Sequence, residues 1–109
     1  MFYEGQGVDK DYDVAVAWYR KAATLGNPAA QNNLGFMYAN GEGVEKDLAR
    51  AVAWYRKAAM QGNANAQYNL GLKYRDGKGV EKDLAQARIW FEKAADQGDK
   101  DAKRALENL

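Results

Sequence analysis

Residues 30–62 read AQNNLGFMYANGEGVEKDLARAVAWYRKAAMQG, and the remainder of the chain is a copy or a fragment of this stretch. Moved by 36 positions it lands on itself: Gly41, Gly43 and Val44 fall on Gly77, Gly79 and Val80 in one direction and on Gly5, Gly7 and Val8 in the other. Trp54 falls on Trp18 and Trp90, and Gly62 on Gly26 and Gly98. A fixed period of that length marks a solenoid of stacked supersecondary units rather than a closed globular fold. It divides the chain into a partial unit over residues 1–26, full units over 27–62 and 63–98, and a closing helix over 99–109.

Within each unit the spacing is helical. Val14, Ala15, Trp18, Tyr19, Ala22 and Ala23 recur at three and four residues, which predicts an amphipathic helix over about 12–25 with Asp11 as its N-cap. Gly26 suits the left-handed position past a helix end, Asn27 a cap, and Pro28 a first helical position that needs no amide hydrogen. A turn this short implies antiparallel helices in contact. The next helix, about 28–40, carries Ala30, Gln31, Leu34, Gly35 and Tyr38 on one stripe. Gly35 costs up to ~1 kcal/mol in helix propensity relative to alanine, and its recurrence at Gly71 points to a close approach by the neighbouring helix backbone. Gly41-Glu42-Gly43 breaks this helix, Val44 tucks under the loop and Asp47 caps a helix running to about 61. Further helices follow over about 64–75, 84–97 and 100–108. No period-two alternation signals a strand. Met1 to Glu4 align with Met37 to Asn40, so the chain is expected to open late in a first helix. In the last helix Lys103 replaces Gln31 and Gln67, and Glu107 replaces Gly35 and Gly71; a polar face in that position suits a terminal cap.

Composition narrows the function. Lys plus Arg number 16 and Asp plus Glu 15, a formal net charge of +1, which gives no general attraction to nucleic acid or to an anionic membrane. No apolar run approaches the roughly 18 residues of a membrane span, and the first residues lack the pattern of a secretory signal. The expectation is a soluble chain of undetermined compartment, cytoplasmic or periplasmic. There is no cysteine, no histidine and no serine, and Thr24 is the only aliphatic hydroxyl. Nucleophilic and acid/base catalysis therefore have little to draw on, and no cofactor or metal is expected. Asp9, Asp11 and Asp13 imitate the opening of a calcium loop, but Val14 and Arg20 occupy the positions that need glycine and glutamate. The glycine doublets lack the third glycine and the Lys-Ser/Thr pair of a phosphate loop. Trp18, Trp54 and Trp90 are expected on the packing faces of the second helices.

At Ala30, Gln31, Leu34, Gly35, Tyr38, Gly41, Gly43, Val44, Asp47, Trp54, Tyr55, Lys57, Ala58, Ala59 and Gly62 the sequence resembles the Sel1-like repeat family, a branch of the tetratricopeptide-like helix-turn-helix solenoids. The match is almost as full over 66–98, with Phe91 in place of the tyrosine. The resemblance implies an all-α, right-handed α/α superhelix of antiparallel helix pairs. It also implies a scaffold or adaptor role, as in many bacterial members. A secreted branch with a cysteine pair in each repeat, linked to β-lactam binding, is a poor fit to a chain without cysteine.

In such solenoids the first helices line a concave groove where peptides lie. Turning 100° per residue from Gln31, that side carries Asn32, Phe36 and Asn40 in one unit and Tyr68, Leu72 and Asp76 in the next, with Arg75 at the edge and Arg104 further along. Phe36, Tyr68 and Leu72 either offer apolar contacts to a ligand or pack between successive units. The amides suit the backbone of an extended peptide. The expectation is a non-enzymatic protein-protein interaction module binding a protein or peptide. It would be a monomer, with weak self-association through the open N-terminal end also open. The alternatives are a structural spacer within a longer solenoid and, less favoured, a β-lactam-handling or amidase-like enzyme.

Overall fold

The computed structural model describes residues 8–109, with side chains from Tyr12 onward. The expectation for Met1 to Glu4, the Gly5-Gln6-Gly7 turn and the side chains of Asp9 and Asp11 lies outside the described residues. Six helices follow in order among them: α1 (Val8–Thr24), α2 (Pro28–Asn40), α3 (Leu48–Met60), α4 (Ala64–Asp76), α5 (Leu84–Asp96) and α6 (Lys100–Glu107), with no strand. Each packs on the next, most extensively α2 on α3 and α4 on α5. The result is an all-α solenoid of helix pairs.

The termini follow the sequence signals. Asn27, Asn63 and Asp99 sit in extended backbone before α2, α4 and α6, and their side chains accept from the amides of Ala30, Ala66 and Ala102 at 2.9, 2.8 and 3.0 Å. Asp47 and Asp83 cap α3 and α5 in the same way, through Arg50 and Gln86. Each such cap is worth about 1 kcal/mol. Asp11 is the exception. Val8 to Asp11, the counterpart of the Val44–Asp47 loop, is helical, so Asp11 lies inside α1 rather than capping it.

The stripe Ala30, Gln31, Leu34, Gly35, Tyr38 is buried as expected, joined by Met37. Gly35 is pressed on by an aromatic ring more than by a helix backbone. A Cβ there would meet the Tyr55 ring at 2.8 Å and the Ala51 carbonyl at 3.1 Å, and one at Gly71 would meet the Phe91 ring at 2.6 Å. Tyr55 and Phe91 are 2 % and 0 % exposed, and they anchor the two pairs. In each loop the second glycine has a positive φ and lies on the preceding second helix: Gly43 against Tyr12 and Val16 of α1, Gly79 against Leu48 and Val52 of α3. A side chain at either position would run into that helix.

Two buried glutamines tie the stack together. Gln31 Nε2 donates to the Ala23 carbonyl (3.1 Å), while its Oε1 accepts from Gln61 Nε2 (2.8 Å). Gln67 repeats the pattern with the Ala59 carbonyl (3.1 Å) and Gln97 Nε2 (3.0 Å). Each is only 4 % exposed and has both ends of its amide satisfied, as burial of a polar side chain requires.

The tryptophans divide. Trp54 and Trp90 are half-buried against the core, and Trp90 lies beside Ala59, Met60 and Gln67 of the preceding helices. Trp18 is 67 % exposed, against expectation. Among the described residues no helix pair precedes α1 to supply the surface that α3 and α4 give Trp90. The inward face of α1 is Ala15, Val16 and Ala23, so Val16 takes the place assigned to Val14.

Candidate functional site

On α2, Asn32, Phe36 and Asn40 share one face at four-residue spacing, and on α4 Tyr68, Leu72, Arg75 and Asp76 do the same. One hydrogen bond joins the two helices here, from Asn69 Nδ2 to Asn32 Oδ1 at 2.9 Å. Sequence reasoning passed over Asn69; its recurrence with Asn33 at one repeat position was the available signal.

The eight residues do not form one uniform surface. Phe36 is 50 % exposed and borders a hollow of about 150 Å³ with Tyr12, Tyr19 and Asn33, so it faces the α1 side of α2. Tyr68 and Leu72 are half-buried in the cluster around Phe91, Ala102 and Ala105; the Tyr68 and Phe91 ring centroids are 5.8 Å apart. They pack between successive helices and present only part of their surface to solvent. Arg75 and Asp76 pair with each other, Nε to Oδ1 at 2.9 Å and Nη2 to Oδ2 at 3.2 Å. The hydrogen bonds from Arg75 hold the Asp76 carboxyl below its ordinary range, and the same contact raises the Arg75 guanidinium. Neither charge is idle, so a ligand here meets a preformed zwitterion. Asn40 and Arg104 are exposed.

A second recurring feature is an arginine-tyrosine contact across neighbouring units. Arg20 Nη2 donates to the Tyr38 hydroxyl at 3.1 Å, and Arg56 Nη2 donates to the Tyr74 hydroxyl. Beside the first, Lys46, Asp47 and Arg50 border an open hollow of about 350 Å³, with the Arg50 guanidinium 5.8 Å from the centre of the Tyr38 ring. Arg20 and Arg56 stand 36 apart, a coincidence visible in the sequence. Among the described residues no three histidine, cysteine or acidic side chains cluster to hold a metal ion, and no helix is long and apolar enough to cross a membrane.

The Sel1 repeat family model matches residues 1–27, 28–63 and 64–99. The chain belongs to the Sel1 repeat family. Solved structures agree with that assignment. A Sel1 repeat protein from Oxalobacter formigenes is 43 % identical with a TM-score of 0.86, over 92 % of this chain and 40 % of that one. A protective antigen of uropathogenic Escherichia coli displaying an SLR fold is 49 % identical with a TM-score of 0.84, over 90 % of this chain and 21 % of that one. Helicobacter pylori cysteine rich protein B is 37 % identical with a TM-score of 0.80, over 84 % of this chain and 68 % of that one. The chain thus spans less than half the length of the first two. No curated protein sequence matches it. Sel1 repeats generally serve as protein-interaction modules and are typically non-enzymatic scaffolds. This chain has no cysteine, and its frame is held by core packing together with the hydrogen bonds of Gln31 and Gln67.

Proposed function

We propose that this Sel1 repeat chain is a non-enzymatic interaction module that takes an extended peptide segment along the outer faces of α2 and α4, with Asn32, Phe36, Asn40, Tyr68, Leu72, Arg75, Asp76 and Arg104 as the contact set. The observation that carries the reading is Phe36, a large apolar side chain half in solvent on the same helix face as two amides, next to a helix whose face ends in the Arg75–Asp76 pair. Asn40 and the solvent side of Asn32 suit the backbone of a strand-like ligand, and the paired charges suit a polar side chain on it. The division into 1–26, 27–62, 63–98 and a capping helix over 99–109 belongs to the same reading, in which the exposed Lys103 and Glu107 give α6 a polar face.

Binding of a peptide selected from a displayed library, measured by calorimetry, tests it. Phe36→Asp and Arg75→Glu should each weaken affinity about tenfold or more while the thermal midpoint stays nearly unchanged. Tyr68→Ala is the weaker probe, because its ring packs on Phe91 and its loss lowers stability. Full affinity in both surface variants would put the contact elsewhere. A second reading, in which the chain is one stretch of a longer scaffold and its partner also touches neighbouring repeats, is supported by the lengths of the relatives, of which it spans 40 % and 21 %. Under that reading the isolated chain binds more weakly than a longer array.

A further inference from the structure

The end of α4 and the loop after it depart from the repeat in one direction. Where the α2–α3 pair carries Met37, Ala39 and Glu42, the α4–α5 pair carries Lys73, Arg75 and Lys78. Two neutral positions become positive and an acidic one is reversed, against one gain of negative charge, Asp76 for Asn40. Cations suit the last turn of a helix, yet α2 ends without one, so the shared frame does not require them.

Lys73 is the exchange that matters most. Met37 is a core residue, 5 % exposed, and Lys73 stands half-buried at the same point of the frame. Among the described residues no carboxylate pairs with its ammonium group. Burial lowers its pKa, Lys78 and Lys46 add to that, and Asp76 opposes them. Asp76 is itself taken by Arg75 through two hydrogen bonds. A half-buried cation without a partner in its own chain is suited to a counter-charge that arrives from outside.

The backbone gathers three lysines at this point. The Lys78 amide donates to the Lys73 carbonyl at 3.1 Å. Gly79 lies against the Leu48 carbonyl and Val52, which sets the loop bearing Lys78 on the start of α3, two residues from Lys46. Asn69, one turn before Lys73 on the same helix face, donates to Asn32 at 2.9 Å, so the group borders the seam between α2 and α4. We propose that Lys73, with Lys46 and Lys78, receives a carboxylate of the peptide that lies along α2 and α4, either an acidic side chain or the chain end. This rests on the peptide-binding reading of those helices and gives the peptide a charge. Lysines are point charges on flexible stems, suited to a carboxylate presented by an extended chain at no fixed angle. The positive excess is local, since the whole chain carries a formal charge of only +1, and that favours a single carboxylate over a polyanion.

NMR titration of the 109-residue chain with a short acetylated and amidated glutamate-glycine peptide tests this. The Lys73 and Lys78 amide signals should shift and saturate with a dissociation constant of about 1 mM or below, rising with added salt. The same peptide with glutamine in place of glutamate should bind about tenfold more weakly or worse. A glutamine peptide ending in a free carboxylate distinguishes the sources: binding by it assigns the chain end, binding by the glutamate peptide alone assigns the side chain. Lys73→Met, which restores the residue of the α2–α3 pair, should weaken carboxylate binding about tenfold or more with the thermal midpoint unchanged or higher. Lys78→Gln, at an exposed position, should weaken it in the same direction. Equal binding of carboxylate and amide peptides overturns the proposal, as does equal binding by Lys73→Met and the parent chain, or no binding of any peptide up to about 10 mM. Phe36→Gln separates this site from the wider groove. Binding lost in Phe36→Gln but kept in Lys73→Met removes the carboxylate site alone, and the opposite pattern keeps that site and removes Phe36 from the contact set.

Discussion

The α2–α3 pair and the α4–α5 pair share a frame down to single hydrogen bonds: a capping asparagine and aspartate, a buried glutamine reaching back to an alanine carbonyl, a glycine under an aromatic ring. Among the positions at which they differ, two sets matter most here. Inside, Tyr55 fills the ring position of the first pair and Phe91 that of the second. Outside, Asn32 and Phe36 in the first become Tyr68 and Leu72 in the second, and with that change the face goes from an amide beside a half-exposed ring to apolar side chains folded into the core around Phe91. The frame tolerates exchange wherever shape is kept, and the outward positions are free to diverge. Under the proposed function, recognition would be carried by what differs between the pairs.

The comparison can be broken most severely at the rings. Phe91→Ala should cost about 3–5 kcal/mol, measured by chemical denaturation, because a fully buried aromatic leaves a cavity over Gly71. Tyr55→Ala should match it within about 1 kcal/mol if the two pairs are mechanically equivalent. A smaller step is Gln67→Leu, which strands the buried Ala59 carbonyl and takes from the Gln97 amide one of its two partners, the Gly62 carbonyl being the other; it should cost about 1–3 kcal/mol, with Gln31→Leu as its twin. A loss below about 0.5 kcal/mol in either would mean that the amide ties are incidental.

The finest test uses the one hydroxyl by which the rings differ. Burial pushes the Tyr55 phenol up from 10.0 to about 12. Below pH 10 the group is neutral folded or unfolded. Above it the unfolded chain gives up the proton while the native state keeps it, so stability falls as pH rises from 10 toward 12. Tyr55→Phe should leave stability at pH 7 within about 1 kcal/mol and remove part of the alkaline loss, on the order of 2 kcal/mol. Identical alkaline titrations of the two proteins would show that the phenol is not shielded.

The frame was legible in the sequence because it is written more than once: caps, short turns and the buried stripe of α2 each recur 36 residues on. What escaped was whatever depends on a neighbour that the period alone does not supply. Trp18 matches Trp54 and Trp90 in identity but not in surroundings, and Val14 and Val16 are indistinguishable by hydropathy until the direction of α2 is known. The candidate face was harder still. A helical wheel assigns Phe36 and Leu72 to the same side, yet one is half in solvent and the other leans into the α5–α6 cluster. Asn69 and the Arg20–Tyr38 contact link residues of different units, and such links appear only once the stacking geometry is fixed.

Gln31 and Gln67 each clasp the helix behind and the helix end ahead, so neighbouring pairs cannot swivel about a shared helix without rupturing a bond deep in the interior. The ribbon keeps a set pitch. Under the proposed function, a peptide lying across α2 and α4 would meet contact points at a spacing that these bonds hold, like a key against a stiff template.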